Sequence, residues 1–502
     1  MTQPTRETIP LLSKSRFMAG LQCHKRLYLD CYHPDLADPV PESTQARFDT
    51  GTRVGELARY LYPGGVLIAE DHLHHDAAMA ATTRALSNND IPALYEAGFL
   101  HNGVRMRADI LSRSEGGFDL IEMKSTTQVK EEHLPDVAIQ LYVLRGCGLP
   151  VRRACLGHLN KEYIYPGGDY DLWQLFAVED ITGEAEDMQS AIPGILDGIR
   201  EALSSPEPPC IEAGRHCTRP YTCPFHGHCH ENLPGHSVSQ LPRAREELLE
   251  ALAAAGIADI RQIPPGFPGL NPLQQRVRDC VADNRCYLDP RLRSELSGLR
   301  YPVHFLDFET FNPALPLYAG TRPFQVIPFQ WSCHIMERDG VLRHEEFLHD
   351  GGGDPREAFA RSLLGALGTA GSIVVYSAFE ATRIRELAGA LPALADRLLA
   401  LLDDRIFDLL KSVRTHCYHP EFHGSFSLKS VLPALVPGLD YSDLEITEGE
   451  QASLAYAEMT HPDTPPERRN FLREALLAYC KRDTEAEVRL FNKLSNGKFD
   501  EH

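Results

Sequence analysis

No run of apolar residues in this chain approaches the ~18 that a membrane helix needs. The amino-terminal stretch MTQPTRETIPLLSKSRF has neither an apolar h-region nor a small-residue cleavage site. The first absence excludes a helical membrane protein. The second predicts a chain without a signal peptide, and hence a cytoplasmic one. Positive charge is also short: 50 Lys and Arg stand against 70 Asp and Glu, a net charge of −20. That balance opposes the non-specific phosphate attraction of small basic nucleic-acid binders. It leaves nucleic acid open as a partner, because metal-holding active sites are themselves acidic. No internal repeat is found. What is present is globular in proportion, with 43% hydrophobic and 24% charged residues. A length of 502 residues accommodates two to four domains. In a reducing compartment, 13 cysteines point to metal ligands rather than disulfides.

Three segments follow from the patterning. Residues 1–235 mix helical and strand periods and end in a Cys/His/Pro cluster. Residues 236–299 read as a small helical connector with a Pro-rich break, the segment GIADIRQIPPG also admitting a helix-hairpin-helix. Residues 300–502 open with the buried-strand run VHFLDFET and continue in α/β fashion.

The stretch RMRADILSRSEGGFDLIEMKS is two apolar strands around a Ser/Gly turn, a hairpin. Asp109 lies on the first strand. Glu122 and Lys124 stand two apart on the second, so strand alternation turns both to one face, with Met123 opposite. Asp109 and Glu122 can share Mg²⁺ or Mn²⁺, hard ions that prefer carboxylate oxygens. Lys124 can orient water and offset charge on a phosphate. Upstream, FDTGTRVGELARYLYPGG is helical and offers Glu56 as a further ligand; downstream, DVAIQLYVLRGCG is a helix with Gln140 and Tyr142. His72, His74 and His75 read as solvated loop residues. This order resembles the RecB-like branch of the PD-(D/E)XK nucleases, with Glu56 where His is commoner and Q-x-Y in place of Q-x-x-x-Y. The resemblance implies a restriction-endonuclease-like domain in which Lys124, Asp109 and Glu122 are catalytic and Gln140 supports them.

Residues 217–229 read CTRPYTCPFHGHC, with Cys217, Cys223 and Cys229 evenly spaced and Pro and Gly to bend the chain around an ion. Cys23, in LQCHKRLYL, can supply a fourth thiolate, and Cys210 is a substitute. Zinc, completed by His216, His226, His228 or His230, is the alternative ion. The pattern of one distant amino-terminal Cys with three later ones resembles the iron–sulfur members of the RecB-like branch, among them CRISPR-adaptation and AddB-type nucleases. That resemblance implies a [4Fe–4S] cluster with a structural role.

VHFLDFETF sets Asp307 and Glu309 on one face of a buried strand, where carboxylates demand compensation, usually by a metal. SIVVYSAFEATRIREL is a strand running into a helix at Glu380, and AYCKRDTEAEVRLF is a helix with Tyr479 and Asp483 at i, i+4. The set resembles the DnaQ-like (DEDD) exonucleases of the ribonuclease-H fold, in the Y-x-x-x-D form, Ala478 standing where the other form has His. Glu380 replaces the family's Asp and Ser377 its Asn; Asp408 is the alternative ligand. The resemblance implies a metal set of Asp307, Glu309, Glu380 and Asp483, with Tyr479 placing water. GSFSLKSVLPAL, with Ser427 and Lys429, reads either as a substrate-side segment or as a Ser-capped helix start.

The combination resembles a family of bacterial proteins predicted to be nucleases. It implies an α/β protein with two metal-dependent carboxylate centres that hydrolyses DNA, at single strands or ends, with RNA as an alternative substrate. Two other readings stay open: one centre catalytic and the other a nucleic-acid clamp, or a cluster-bearing scaffold without activity.

Overall fold

The computed structural model describes residues 10–71 and 73–496. His72 and the first nine residues of the amino-terminal stretch lie outside the described residues. The fold is mixed α/β, and no described helix is long and apolar enough to cross a membrane. Two compact units emerge. One runs through Asn232 and includes Pro313–Gln325; the other comprises Leu233–Asn312 and the chain from Val326 onward.

The first unit is built on a seven-stranded sheet among the described residues: β1 (Leu12–Ser13), β2 (Val66–Leu67), β3 (Ala93–His101), β4 (Val104–Ser114), β5 (Gly117–Lys124), β6 (Val151–Leu159) and β7 (Phe176–Asp180). Its order is β2-β3-β4-β5-β6-β7, with β1 beside β4. The hairpin β4–β5 closes over Glu115 and Gly116, and Gly116 takes the left-handed φ of +81° that favours glycine. The β4–β5 ladder ends at the Ile110–Ile121 pair, while β5 goes on pairing in parallel with β6 as far as Lys124. The two strands thus part at the level of Asp109 and Glu122. The helix Leu134–Gly146 is buried along most of its middle, including Asp136 and Gln140.

The second unit holds a five-stranded sheet, order β11-β10-β9-β12-β13, with β8 (Tyr287–Leu288) and β14 (Cys417–Tyr418) forming a separate pair. Its strands are β9 (Val303–Phe311), β10 (Ile327–Met336), β11 (Leu342–Leu348), β12 (Ser372–Val375) and β13 (Ile406–Asp408). Antiparallel pairing joins β9, β10 and β11; β12 and β13 run parallel to β9. Alternation splits β9 between two cores. Val303 and Phe305 join the apolar side of the long helix Pro466–Asn496, and Leu306 and Phe308 pack with Phe359, Leu363 and Ile384 on the other face. Asp307 and Glu309 continue the row of Val303 and Phe305. Residues 236–299, expected as a connector, belong to this unit and its core. Leu248, Leu252, Val277, Val281, Leu292 and Leu296 recur at helical spacing and must bury that stripe.

Candidate functional sites

In the first unit, Asp109 is half-buried on β4 and Glu122 is buried on β5. Asp109 Oδ2 accepts from the Met123 amide at 2.8 Å, which takes over a backbone donor where the ladder has ended. Glu122 is crowded with donors. Lys14 Nζ lies 2.6 Å and Lys124 Nζ 2.8 Å from its Oε1, and Gln140 Nε2 reaches Oε2 at 2.7 Å. Asp136 accepts from Lys124 at 2.5 Å and lies 3.3 Å from Lys14. Burial alone would push Glu122 up, but the two lysines beside it hold it below the usual carboxylate range. Asp109 goes the other way. Burial, with the negative charge of Glu122 added, raises it to about 8, and Lys14 only partly offsets this. Lys124 loses to burial and gains more from Glu122 and Asp136, so it remains an ammonium.

Lys14, Asp136 and Glu96 were not foreseen. Asp136 was findable, being four residues before Gln140 on one helix face. Lys14 carries no local signal, since it arrives from 108 residues away at the start of the helix Lys14–Gln22. Glu96 lies on β3 between the Tyr95–Ile110 and Ala97–Ala108 pairs, across from Asp109. Its φ of +56° is rare for a non-glycine residue. It meets Arg59 at 3.1 Å and Arg107 at 3.6 Å, and its charge contributes to the raised Asp109. Glu96, Asp109 and Glu122 therefore form one row across three adjacent strands. Glu56 is exposed on the helix Glu42–Ala58, and among the described residues no hydrogen bond or ion pair joins it to Asp109 or Glu122. Tyr142 accepts from Asn102 and meets the His101 ring at a 58° tilt.

The four cysteines draw together in the same unit. Cys23 is the hinge between the helices Lys14–Gln22 and His24–Tyr32. Cys217 and Cys223 are buried, Cys229 is half-buried, and the Cys223 amide donates to the Cys217 carbonyl at 2.8 Å. Burial raises the Cys223 and Cys229 thiols. Cys217 and Cys23 add to the rise at Cys229, and Cys217 and Cys229 to that at Cys223. Four soft donors in one region have the chemistry for an iron–sulfur cluster or zinc, although among the described residues no three of their sulfurs come within 4.8 Å of one another. Cys210 is exposed, and His226 and His230 stack on each other at 3.7 Å.

The second unit gathers more acid. Glu309, Glu380, Asp483 and Glu487 are buried, and Asp307 is half-buried beside them. Ligand atoms of Asp307, Glu309 and Cys480 all lie within 4.8 Å of one another, and Cys480 Sγ is 3.6 Å from Asp307 Oδ2. Burial lifts Asp307, Glu309 and Glu487 well above the carboxylate range, and each is raised further by its acidic neighbours. Burial raises Glu380 to about 8 and Asp483 to about 6; Tyr441 and Lys429 restrain the latter. Glu380 Oε2 and Glu487 Oε2 are buried without a hydrogen-bond partner. Orphaned carboxylate oxygens inside a protein are costly. The donor chemistry here fits one or two hard divalent cations.

Around this cluster, Tyr441 Oη donates to Asp483 Oδ1 at 2.5 Å, and Lys429 Nζ donates to Tyr479 Oη at 3.1 Å. Burial and the nearby carboxylates keep the Tyr479 hydroxyl protonated. Glu487 is one turn beyond Asp483, so Tyr479, Asp483 and Glu487 make a single stripe of i, i+4 positions that the sequence could have yielded. Tyr441 sits in a loop and had no such signal. Asp408 accepts from the Lys411 amide at 2.8 Å as the cap of the helix Leu409–His416, and its charge is felt by Glu380. Ser427 caps the helix Leu428–Leu435.

Residues 304–427, in the second unit apart from Pro313–Gln325, match a domain family described as a domain of unknown function, DUF2779. No curated protein matches the chain. Among solved structures, the family B DNA polymerase of the hyperthermophilic archaeon Pyrobaculum calidifontis is similar at 20% identity and a TM-score of 0.25. The match covers 39% of this chain and 24% of the polymerase. So distant a likeness bears on neither fold nor activity.

Proposed function

We propose that this chain is a metal-dependent nuclease with two separate carboxylate centres, acting on DNA single strands or ends, and that its four clustered cysteines hold a [4Fe–4S] group. The observation that carries the reading is the second unit's acid cluster. Asp307 and Glu309 stand at ligand spacing, Glu380 and Asp483 add their charge to both, Glu487 feels the charge of Asp307, Glu380 and Asp483, and Glu380 and Glu487 each bury an oxygen without a partner. Cations offset that cost, and when bound they supply Lewis acidity and stabilise charge developing on phosphate oxygens. Asp307, Glu309, Glu380 and Asp483 are the proposed ligands, with Glu487 behind them. Tyr479, kept protonated, is a hydrogen-bond partner for the attacking water rather than its base. Lys429 brings a positive charge to the same hydroxyl. In the first unit, Asp109, Glu122 and Glu96 are the proposed acid row. Lys124, held as an ammonium, neutralises phosphate charge, and Gln140 fixes the Glu122 carboxylate.

One observation favours a second reading, in which the first unit only clamps nucleic acid. Lys14 and Lys124 already neutralise Glu122, so a cation there competes with two ammonium groups. The test is cleavage of end-labelled single- and double-stranded DNA and RNA with Mg²⁺ or Mn²⁺, comparing Lys124→Ala with Asp307→Ala. Two active centres predict that each variant loses one class of product by roughly 10²–10³-fold and keeps the other. Loss of all cleavage in Asp307→Ala, with Lys124→Ala changing binding alone, establishes the clamp. Undiminished cleavage in the double variant sinks the nuclease reading.

A further inference from the structure

Beside the first carboxylate row lies a cavity of about 720 Å³, whose lining includes Arg53, Glu56, Arg59, Tyr60, Tyr95 and Tyr170. That volume falls within the range of small-molecule sites and exceeds what one nucleotide needs. Its lining holds two arginines and one carboxylate in a chain of net charge −20, and of the two Arg59 is paired with Glu96. Tyr60 is 72% exposed and has no ring partner among the described residues, so its π-face is open. Arg53 is exposed and forms no hydrogen bond or ion pair among the described residues.

The wall behind these groups is fixed. Tyr95 Oη donates to the Arg59 carbonyl at 3.1 Å, tying down the turn that carries Tyr60. A Cβ on Gly65 would lie 2.4 Å from the Tyr95 ring, so a glycine is required for that ring to seat. Arg59 also connects the cavity to the carboxylates, since its guanidinium meets Glu96, the cross-strand neighbour of Asp109.

We propose that this cavity receives an unpaired nucleotide of a single strand, stacked on Tyr60 with its phosphate met by Arg53, next to the Asp109 row. The proposal rests on the nuclease reading and names its substrate class: duplex ends must fray, or the strand must already be single, to enter. An open aromatic face beside a free guanidinium is what sequence-tolerant single-strand sites use. Glu56 accepts from base N–H groups rather than meeting phosphate.

The test uses the full chain with Ca²⁺ in place of Mg²⁺, so that binding is read apart from cleavage. Probes are a 2-aminopurine-labelled DNA single strand, the same sequence as duplex, and the corresponding RNA strand. Single strands should bind with quenched 2-aminopurine fluorescence. Tyr60→Ala should weaken this by roughly five- to a hundred-fold and relieve the quenching, the range set by loss of one base–aromatic stack. Tyr60→Phe should retain both. Arg53→Ala should lower the salt slope of single-strand binding by about 0.7. Whichever of the DNA or RNA strands binds more tightly identifies the source of the nucleotide. The proposal is overturned if Tyr60→Ala and Arg53→Ala bind single strands as the unmodified protein does, or if duplex binding falls equally. Should the unmodified protein also cut DNA in that case, the nuclease reading stands without the pocket. If it neither binds nor cuts any probe, both fall.

Discussion

Tyr441 illustrates how one hydroxyl tunes a carboxylate it does not share a strand or helix with. Its 2.5 Å bond occupies Asp483 Oδ1. The same bond is a principal restraint on Asp483, which burial raises to about 6 with that bond in place. Tyr441→Phe removes the donor while keeping the ring that packs near Tyr479 and Lys429. Deprotonated Asp483 then loses a stabilising partner, so its pKa rises further and less of it is ionised near neutrality. The acidic limb of the pH–rate profile should therefore move to higher pH, with turnover at alkaline pH changed by only a few-fold. A profile that stays in place would show that Tyr441 acts through packing. Tyr479→Phe deletes a hydroxyl that meets Lys429 and also supports the Asp483 carboxylate, so it should lower the rate across the whole profile as well as moving the acidic limb the same way.

Elements position these residues, and two of them are exposed to simple tests. Cys23 terminates one helix and starts the next, while Cys217, Cys223 and Cys229 sit in a Pro-rich loop with little core of its own beyond Leu29 and Phe225. A cluster bound there would link the two ends of the first unit, so Cys223→Ser should bleach a brown, anaerobically purified protein and lower its melting temperature. Colourless protein carrying stoichiometric zinc would replace the cluster with the zinc alternative. In the second unit, Gly371 has φ +85° at the start of β12, and a Cβ there would lie 2.0 Å from the Pro302 carbonyl oxygen. Arg405 Nε also donates to the Gly371 carbonyl at 2.8 Å. Gly371→Ala should cost about 2–4 kcal/mol by denaturant titration, combining backbone strain with a clash against rigid atoms. A change below ~1 kcal/mol would mean the turn re-forms. These cases also mark what was legible. Asp109, Glu122 and Lys124 were readable because a hairpin's period of two fixes their face locally, and Tyr479 with Asp483 because a helix does the same. Lys14, Glu96 and Tyr441 meet their partners across distant chain segments, from a helix start, a neighbouring strand and a loop that leave no short-range pattern. The place of Pro313–Gln325 in the first unit is likewise a matter of tertiary packing, invisible in an insertion between two strands of the second.

Across the whole molecule, buried acid makes stability depend on pH and on cations together. In an unfolded chain carboxylates titrate near pH 4. In the folded protein Asp109 and Glu380 are raised to about 8 and Asp483 to about 6, all by burial, and Asp307, Glu309 and Glu487 lie well above the usual range. Between about pH 4 and 8 the folded state thus holds protons that the unfolded state has released. By linkage, the contribution of these acids falls as pH rises through that window, while buried His304, His334 and His344, lowered to about 4, oppose it up to about pH 6.5, so the acids' slope stands alone above about pH 7. Glu122 is lowered rather than raised, so its contribution is already complete above pH 5 and adds no slope here. Divalent cations act in the opposite sense. They bind the ionised carboxylates of the folded state alone, so their stabilisation grows as protons leave. Melting curves in EDTA should therefore shift to lower temperature from pH 7 to 8.5, and Mn²⁺ should raise the melting temperature more at pH 8 than at pH 6. The two units need not melt together, so each transition is followed separately. General charge repulsion at net −20 would also weaken the fold at high pH, and Glu487→Gln separates the causes. That substitution changes net charge by one but removes a fully buried acid from the cluster. It should visibly flatten the EDTA slope of the second unit if the cluster is responsible. An unchanged slope would assign the effect to the surface, and a Mn²⁺ shift independent of pH would remove the buried carboxylates as its site.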